Sequence, residues 1–356
     1  MKALVLTSPG AFEIQDVPVP KPAAHEVLCR IRGVAICGSD PEIIRGGLAG
    51  VWPPSYPFIP GHEWAGEVVE VGEGVLDFKP GDPVAGEAHK GCGECRNCLS
   101  GRYNLCENYG RAETGHRHYG FVSQGAYAQF NTYSVRSINR LPSNVSFREA
   151  ALVDTAGVAL HAMELTAITA GGTVAIIGPG PIGLIAMRFA KALGAARVIV
   201  VGRGARLAAA CAKGADAVVD IETEDAVRAV RELAGGLGVD EAFECSGAAG
   251  TFAQAVRMVR KGGKVGLLGV PPDAVMEALP FKYIVHNEIA IFGSRANPNV
   301  SRKIIQMLAS GHIAVKDLVT HTFPLERFAE GLDTFVNRRD GVIKVVIEPN
   351  GAEVVH

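Results

Sequence analysis

The sequence predicts an α/β protein in which a β-rich N-terminal part precedes a doubly wound parallel sheet. From about residue 154 onward, short apolar runs alternate with helical patterns of roughly ten residues, which is typical of βαβ units. A glycine-rich turn separates the first of these apolar runs from the helix that follows it. Before residue 154, short runs of mixed polarity end at Gly or Pro, as strands of antiparallel sheets do.

Length and composition favour a globular protein with two domains. A chain of 356 residues is long enough for two, because a single core stops growing near about 250–300 residues. With 48% hydrophobic and 20% charged residues, the composition is ordinary for a soluble protein. A net charge of -2 provides no basic field for nucleic acid or an anionic membrane. No run approaches the ~18 apolar residues of a membrane span and no signal peptide is apparent, so we expect a cytoplasmic location.

Individual elements follow from the same periodicities. In the β-rich part, strands are predicted at residues 26–34, 63–71 and 125–131. In the parallel sheet, strands are predicted at 174–177, 197–201, 217–220, 240–244 and 264–268, with helices at 182–193, 205–213, 225–234 and 250–259. A helix at 301–310 and a final strand at 341–347 complete the prediction.

The glycine-rich turn fits the pattern G-x-G-x-x-G. Gly178 allows the tight turn, Gly180 lets the backbone approach a pyrophosphate, and Gly183 lets helix and strand pack closely. Pro181 and Ile182 begin the helix, whose free N–H groups and dipole favour phosphate. The motif therefore predicts a dinucleotide site, and an ordinary strand–helix turn is the alternative.

The residues after the second strand of the parallel sheet bear on the choice of cofactor. An acidic residue here would bind a ribose 2′-OH, but the chain has Gly202 and Arg203. Gly202 leaves room, and Arg203, with Arg206, can pair with a 2′-phosphate. We therefore expect NADP rather than NAD, the alternative being that Arg203 is a solvated loop charge. Cys245, after the fourth strand, is predicted to line the cofactor site without reacting.

Four cysteines within fifteen residues form the most specific pattern in the chain, with the spacing C-x2-C-x2-C-x7-C. Four thiolates this close can surround one zinc ion and leave no open position, which is typical of a structural site. An iron–sulfur cluster and a disulfide pair are the alternatives. The cysteines are Cys92, Cys95, Cys98 and Cys106.

A second set of potential ligands is dispersed along the chain. Cys37, His62 and a carboxylate, Glu63 or Asp154, would make a zinc site with one position open to water or substrate. An open zinc can lower the pKa of an alcohol before hydride leaves carbon. Taken singly, Cys37 and His62 are ordinary core residues. The case for them as zinc ligands therefore depends on the rest of the sequence.

The order of these features resembles the zinc-containing medium-chain dehydrogenase/reductase family over nearly the whole chain. Residues 61–69, GHEWAGEVV, are similar to the family's zinc signature, and the four-cysteine lobe lies where the family carries one. Residues 244–248, ECSGA, and 318–325, LVTHTFPL, resemble the polyol and threonine dehydrogenase branch. The resemblance implies a GroES-like β-barrel catalytic domain at 1–153 and 296–356, with a Rossmann domain at 154–295 inserted.

The resemblance also implies roles for particular residues. Cys37, His62 and Glu63 would be ligands of a catalytic zinc, with Asp154 a further ligand, directly or through water. Ser39 would accept the alcohol proton, Asp40 would orient His62, and Arg295 would bind substrate hydroxyls. Many relatives end their proton relay with a histidine where this chain has Glu42. Either Glu42 takes that role or it is an exposed acid.

The function implied is a zinc-dependent oxidoreductase that transfers hydride between a secondary alcohol, polyol or sugar-like, and a nicotinamide cofactor. Threonine, amino-alcohol or other zinc alcohol dehydrogenases are the first alternative. A non-catalytic NADP-binding protein with structural zinc alone is the second. We expect a small-molecule partner and a homo-oligomer, a dimer or tetramer. His116 and His118 are predicted to be exposed loop residues that bind no metal, the alternative being that they contact substrate.

Overall fold

The computed structural model describes residues 1–271 and 275–351, which form two compact units. The first unit comprises Met1–Thr155 and the described residues from Asn297 onward, and the second comprises Ala156–Ala296. Each unit has its own buried apolar core. None of the helices in the described ranges is long and apolar enough to cross a membrane.

The first unit is built mainly from antiparallel strands. Its strands are β1 (Lys2–Ser8), β2 (Ala11–Asp16), β3 (Glu26–Ala35), β4 (Glu63–Val71), β5 (Pro83–Gly86), β6 (His89–Lys90), β7 (Arg117–His118), β8 (Phe130–Ser134), β9 (Ile138–Arg140), β16 (Val319–Pro324) and β17 (Lys344–Glu348). Its helices are α1 (Asp40–Arg45), α2 (Arg96–Leu99), α3 (Phe147–Ala150), α10 (Ser301–Ala309) and α11 (Phe328–Val336); α4 (Val153–Thr166) begins in this unit.

One seven-stranded sheet organises the first unit. Its order is β16-β17-β3-β4-β5-β9, with β8 pairing β3 beside it. β3 pairs antiparallel with β4 so that Ala35 lies opposite Glu63. The end of β3 and the start of β4 therefore lie side by side. β17 pairs antiparallel with the same end of β3, placing Val346 opposite Ala35.

The second unit is the parallel sheet with its helices. Its strands are β10 (Thr173–Ile177), β11 (Arg197–Gly202), β12 (Ala217–Asp220), β13 (Val239–Glu244), β14 (Val259–Leu267) and β15 (Ala290–Gly293). Its helices are α5 (Pro181–Ala192), α6 (Gly204–Ala212), α7 (Ala226–Leu233), α8 (Thr251–Met258) and α9 (Phe281–His286). All five strand pairings are parallel, in the order β12-β11-β10-β13-β14-β15. This is the order of a Rossmann fold, and the predicted α/β class is confirmed.

Candidate active site

Cys37, His62 and Glu63 come together because of the pairing between β3 and β4. Cys37 follows the end of β3, while His62 and Glu63 lie at the start of β4. One ligand atom from each residue lies within 4.8 Å of those from the other two. His62 and Glu63 are buried, and Cys37 is partly exposed. A thiolate, an imidazole and a carboxylate at this separation suit zinc, with the Cys37 side left open.

The electrostatics of this cluster favour a bound cation. Burial disfavours the charged imidazole, but the nearby Cys37, Asp40 and Glu63 outweigh burial and raise the pKa of His62 to about 10. Several acidic groups therefore surround one buried position, and a divalent cation there would neutralise them. The donor set and its charge both fit zinc.

Asp40 lies beside His62 and Cys37. Its Oδ1 lies 3.8 Å from His62 Nδ1, and its Oδ2 accepts hydrogen bonds from the Cys37 N–H and the Tyr127 hydroxyl, both at 2.8 Å. Asp40 is fully buried, and burial raises the pKa of its carboxyl. The 3.8 Å between His62 Nδ1 and Asp40 Oδ1 is longer than a hydrogen bond. Asp40 nevertheless lies where a carboxylate that orients a ligand histidine would be expected.

Lys344 is a member of the site that sequence reasoning missed. Its ammonium group is almost wholly buried, forms an ion pair with Glu63 Oε2 and donates to the Ile36 carbonyl at 2.9 Å. Burial raises the pKa of Glu63, but Lys344 and His62 outweigh burial and hold that pKa below its ordinary value. A lysine inside the apolar strand β17 was the available signal, because lysine is almost never fully buried unless it is paired.

Ser39 lies one residue before α1 and close in sequence to Cys37. Within the described residues, its buried Oγ has no hydrogen-bond partner. A buried hydroxyl normally has a partner, so this one is available to a ligand. Glu42, in contrast, is exposed and forms an ion pair with Arg45, as expected for the exposed-acid alternative.

Asp154 lies outside the group of mutually close ligand atoms. It is buried in the first turn of α4, and its Oδ1 accepts hydrogen bonds from the Ala88 N–H at 3.3 Å and the Asn297 amide at 2.9 Å. Burial raises the pKa of Asp154, nearby His62 lowers it and Glu63 raises it, so the carboxyl is within electrostatic range of the cluster. Its direct coordination of zinc stays a prediction.

The four cysteines of the lobe converge on one point. Their sulfur atoms all lie within 4.8 Å of one another, and the Cys92–Cys98 and Cys95–Cys106 Sγ distances are both 3.9 Å. Four bonds of about 2.3 Å in a tetrahedron put sulfurs roughly 3.8 Å apart. A disulfide would need about 2.05 Å. The geometry therefore fits one metal ion with no open position.

Backbone amides prepare the lobe for a metal. The N–H groups of Glu94 and Cys95 both donate to Cys92 Sγ at 3.4 Å, and the Asn108 amide donates to it at 3.5 Å. These hydrogen bonds, led by that of Glu94, lower the pKa of Cys92 to about 6. A thiol that ionises this readily is a good zinc ligand.

In the second unit, the glycine turn has the packing that the motif predicts. Gly178 adopts a φ of +96° between β10 and α5, and a Cβ on Gly183 would lie 2.0 Å from the Gly178 carbonyl oxygen. A side chain at Gly180, the N-cap of α5, would meet only Arg206 Nη1, at 3.9 Å. Pro181 and Ile182 open α5, whose first turn carries no acidic residue. The turn thus leaves its backbone free for a pyrophosphate, with Arg206 beside it.

The end of β11 differs from what the sequence suggested. Gly202 is buried against the turn, and a Cβ there would lie 2.3 Å from Pro179 Cδ. Packing therefore requires Gly202, and the space on its Cβ side is filled. Arg203 is exposed, with Nη1 3.7 Å from Glu222 Oε1.

The remaining predicted residues are dispersed. Cys245 follows β13 and donates its N–H to the Ile177 carbonyl; burial raises the pKa of its thiol well above the ordinary value, so the thiol is unreactive. Arg295 is exposed just after β15.

His116 and His118, expected to be exposed, are buried, and His118 stacks on Phe121 with ring centroids 3.9 Å apart. Phe121 in turn packs against His62 at 4.6 Å. The expectation of exposure was wrong.

Comparisons with known proteins agree with this geometry. The family model described as alcohol dehydrogenase GroES-like domain matches residues 23–143, and the one described as zinc-binding dehydrogenase matches residues 181–310. Sorbitol dehydrogenase of Bacillus subtilis (strain 168) is 36% identical over 351 residues, covering 98% of each chain. L-threonine 3-dehydrogenase of Bacillus licheniformis is 34% identical over 360 residues, covering 98% of this chain and 99% of its own.

Solved structures agree as well. A putative zinc-binding dehydrogenase from Sinorhizobium meliloti 1021, crystallised with NADP bound, superposes with a TM-score of 0.88. It is 32% identical to this chain, and the match covers 98% of this chain and 99% of that one.

Proposed function

The chain belongs to the zinc-containing medium-chain dehydrogenase/reductase family, and from that premise we propose that it oxidises a secondary alcohol of a polyol with NADP. The observation that best supports this proposal is the cluster of Cys37, His62 and Glu63. The buried hydroxyl of Ser39, close in sequence to Cys37, has no hydrogen-bond partner among the described residues. Sorbitol dehydrogenases among the relatives support the polyol. The threonine dehydrogenase relatives make an amino alcohol the second candidate substrate.

Cys37, His62 and Glu63 would hold the catalytic zinc, and Asp154 would add a carboxylate directly or through water. A zinc ion bound there would polarise the alcohol and lower its pKa. The Ser39 hydroxyl would accept the alcohol proton and release its own proton to water or to Glu42, while hydride moves from the alcohol carbon to the nicotinamide. Asp40 would keep His62 oriented, Lys344 would keep Glu63 ionised, and Arg295 would bind further substrate hydroxyls.

The second zinc would be held by the four cysteines of the lobe, giving two per chain. The Gly178–Gly183 turn and the N-terminus of α5 would hold the cofactor pyrophosphate, with Cys245 near the turn. Arg203 and Arg206 would hold the 2′-phosphate of NADP, and the NADP-bound relative supports that choice. Four cysteines that hold zinc have to stay reduced, which favours a reducing compartment such as the cytoplasm.

We also propose a homo-oligomer. β15 is an edge strand of the parallel sheet, and Met276, Phe281 and Val285 nearby in sequence are exposed. Exposed apolar side chains beside a strand edge favour self-association.

A substrate screen tests the proposal directly. Polyols, amino alcohols and simple secondary alcohols are each assayed with NADP and NAD, for the wild type and for His62→Ala. The proposal predicts the highest kcat/KM for a polyol with NADP, and loss of turnover in His62→Ala. Turnover by His62→Ala at the wild-type rate would refute the assigned site. One zinc per chain without any turnover would instead support a non-catalytic binding protein.

A further inference from the structure

A tyrosine hydroxyl of the four-cysteine lobe contacts two segments that both lead to Asp154. Tyr103 lies between Cys98 and Cys106, at the start of a short 3₁₀ turn, Tyr103–Leu105. The Gly101 N–H donates to the Cys98 carbonyl at 3.0 Å, and the Cys106 N–H donates to the Tyr103 carbonyl at 3.2 Å. Whatever fixes the cysteine sulfurs therefore also fixes the backbone of Tyr103.

The Tyr103 hydroxyl makes two hydrogen bonds to different segments of the first unit. It donates to Glu87 Oε2 at 2.6 Å and accepts from the Asn299 N–H at 2.8 Å. The Asn299 amide also donates to the Gly101 carbonyl at 2.8 Å. The lobe thus holds Asn299 twice, through its backbone and through its side chain.

Both segments continue directly to Asp154. Ala88, next to Glu87, donates its N–H to Asp154 Oδ1, and Asn297, two residues before Asn299, donates its amide to the same oxygen. One carboxylate oxygen therefore receives both hydrogen bonds, and the Tyr103 hydroxyl holds the segments that supply them. Glu87, Asn297 and Asp154 are buried, so water does not readily replace the contacts among these three residues, whereas Asn299 is exposed.

We infer that Tyr103 is a positioning residue that couples the four-cysteine lobe to substrate binding by holding the two donors of Asp154 in place. This inference rests on the proposed function, in which Asp154 adds a carboxylate to the catalytic zinc site, directly or through water. The lobe zinc then has a role beyond stability: with the lobe ordered, Tyr103 stays on Glu87 and Asn299, and Asp154 stays in place.

The test compares Tyr103→Phe with a matched control, Tyr119→Phe. Tyr119 is also a buried tyrosine of the first unit, and its hydroxyl accepts the Ser134 N–H at 3.0 Å. For Tyr103→Phe we expect a rise of about tenfold in the KM for the polyol, the fold-change of one charge-assisted hydrogen bond. Zinc content should stay at the wild-type value, since all four cysteines remain. Tyr119→Phe should keep the wild-type KM.

Two further measurements separate positioning from general damage. With cobalt in place of the catalytic zinc, the visible absorption bands should shift in Tyr103→Phe and not in Tyr119→Phe. In a double-mutant cycle, Asn297→Ala and Tyr103→Phe should be non-additive, because both act through Asp154. If Tyr103→Phe does not fold, Asn299→Gly removes only the amide contact with Gly101 and suits the positive φ of +62° at that position. It should raise the same KM roughly threefold.

Wild-type KM and cobalt spectrum in Tyr103→Phe, or fully multiplicative effects in the cycle, would overturn the inference. For Asn299→Gly, a wild-type KM would do the same. Asp154→Asn distinguishes this failure from failure of the proposed function. If Asp154→Asn lowers kcat/KM and Tyr103→Phe does not, the inference alone is wrong. If Asp154→Asn is without effect, the role proposed for Asp154 is wrong, and the inference fails with it.

Discussion

A contact between the glycine turn and the end of β11 makes a specific prediction about cofactor choice. Replacing Gly202 by aspartate would supply the carboxylate that binds the ribose of NAD. The new Cβ would lie 2.3 Å from Pro179 Cδ and 2.5 Å from its Cγ, about 1 Å inside ordinary van der Waals contact. A proline ring cannot rotate away, so either the turn or β11 must shift.

The size of the effect follows from that overlap. Overpacking of this kind costs roughly 1–3 kcal/mol, and here the strain falls on the turn proposed to hold the pyrophosphate. We therefore expect Gly202→Asp alone to bind both cofactors poorly and to unfold at a lower temperature. The double variant Pro179→Ala/Gly202→Asp removes the ring and should use NAD better than NADP. Pro179→Ala alone should keep the NADP preference.

The assay is kcat/KM for NADP and NAD in the wild type, these three variants and Arg203→Ala, together with thermal unfolding. Loss of one charge-assisted pair with the 2′-phosphate corresponds to about 1.5–3 kcal/mol, so Arg203→Ala should lower the NADP preference about tenfold or more, chiefly through KM. The steric reasoning would be refuted if Gly202→Asp alone kept wild-type stability and bound NAD tightly. A wild type that prefers NAD, with Arg203→Ala neutral, would refute the cofactor assignment.

Three further predictions concern the first unit. Ser39→Ala should lower kcat by ~10²–10⁴-fold with zinc content unchanged, and Ser39→Thr should be tolerated; a wild-type kcat in Ser39→Ala would remove the hydroxyl from the mechanism. Lys344→Met leaves Glu63 buried and unpaired, so it should lower the free energy of unfolding by ~3–5 kcal/mol in the zinc-free protein. The loss should be smaller with zinc bound, and equal losses in the two states would argue against a metal at Glu63. The pKa of Glu63 is held below its ordinary value, so its ionised carboxylate stabilises the fold at neutral pH. In the wild type this stabilisation should be lost when acid protonates Glu63 at that lowered pKa, whereas Lys344→Met should show no such loss. Unfolding measured at several pH values checks the difference.

Much of the second unit could be predicted because its signals are local. Buried parallel strands are continuous apolar runs, and the glycine turn marks the start of α5, so β10 to β13 fall within one residue of their predicted ends. β14 begins at Val259, earlier than predicted, because lysine and glycine interrupt its apolar pattern. The edge strand β15 was not predicted at all.

In the first unit, the predicted strand at 125–131 is largely wrong, since β8 begins at Phe130. The N–H groups of Gly125, Ala126 and Tyr127 instead bond individually to carbonyls of residues 59–61, and the segment bends without forming a regular ladder. Apolar alternation cannot distinguish these two arrangements.

In the candidate site, too, residues with a local sequence signal could be predicted, and contacts between residues distant in sequence could not. Cys37, His62 and Glu63 were predicted from residue types and resemblance, and the structure brings them together. A lysine in an apolar strand could have drawn attention to Lys344, but its partner could not be inferred. The partners of Lys344 and Tyr103, Glu63 and Asn299, lie far away in sequence. Local patterns carry no information about which distant backbone a buried hydroxyl or ammonium will meet.

Metal content measured alongside activity during mild chelation tests the central claim most directly. The lobe offers four thiolates and no open position, whereas the Cys37, His62 and Glu63 site must admit substrate. The protein as purified should therefore contain two zinc ions per chain. Chelation should remove one first, with activity lost in proportion and the thermal unfolding transition of the protein still cooperative. Loss of the first zinc with activity fully retained, or simultaneous loss of both ions, activity and fold under every condition, would contradict a catalytic zinc distinct from the structural one.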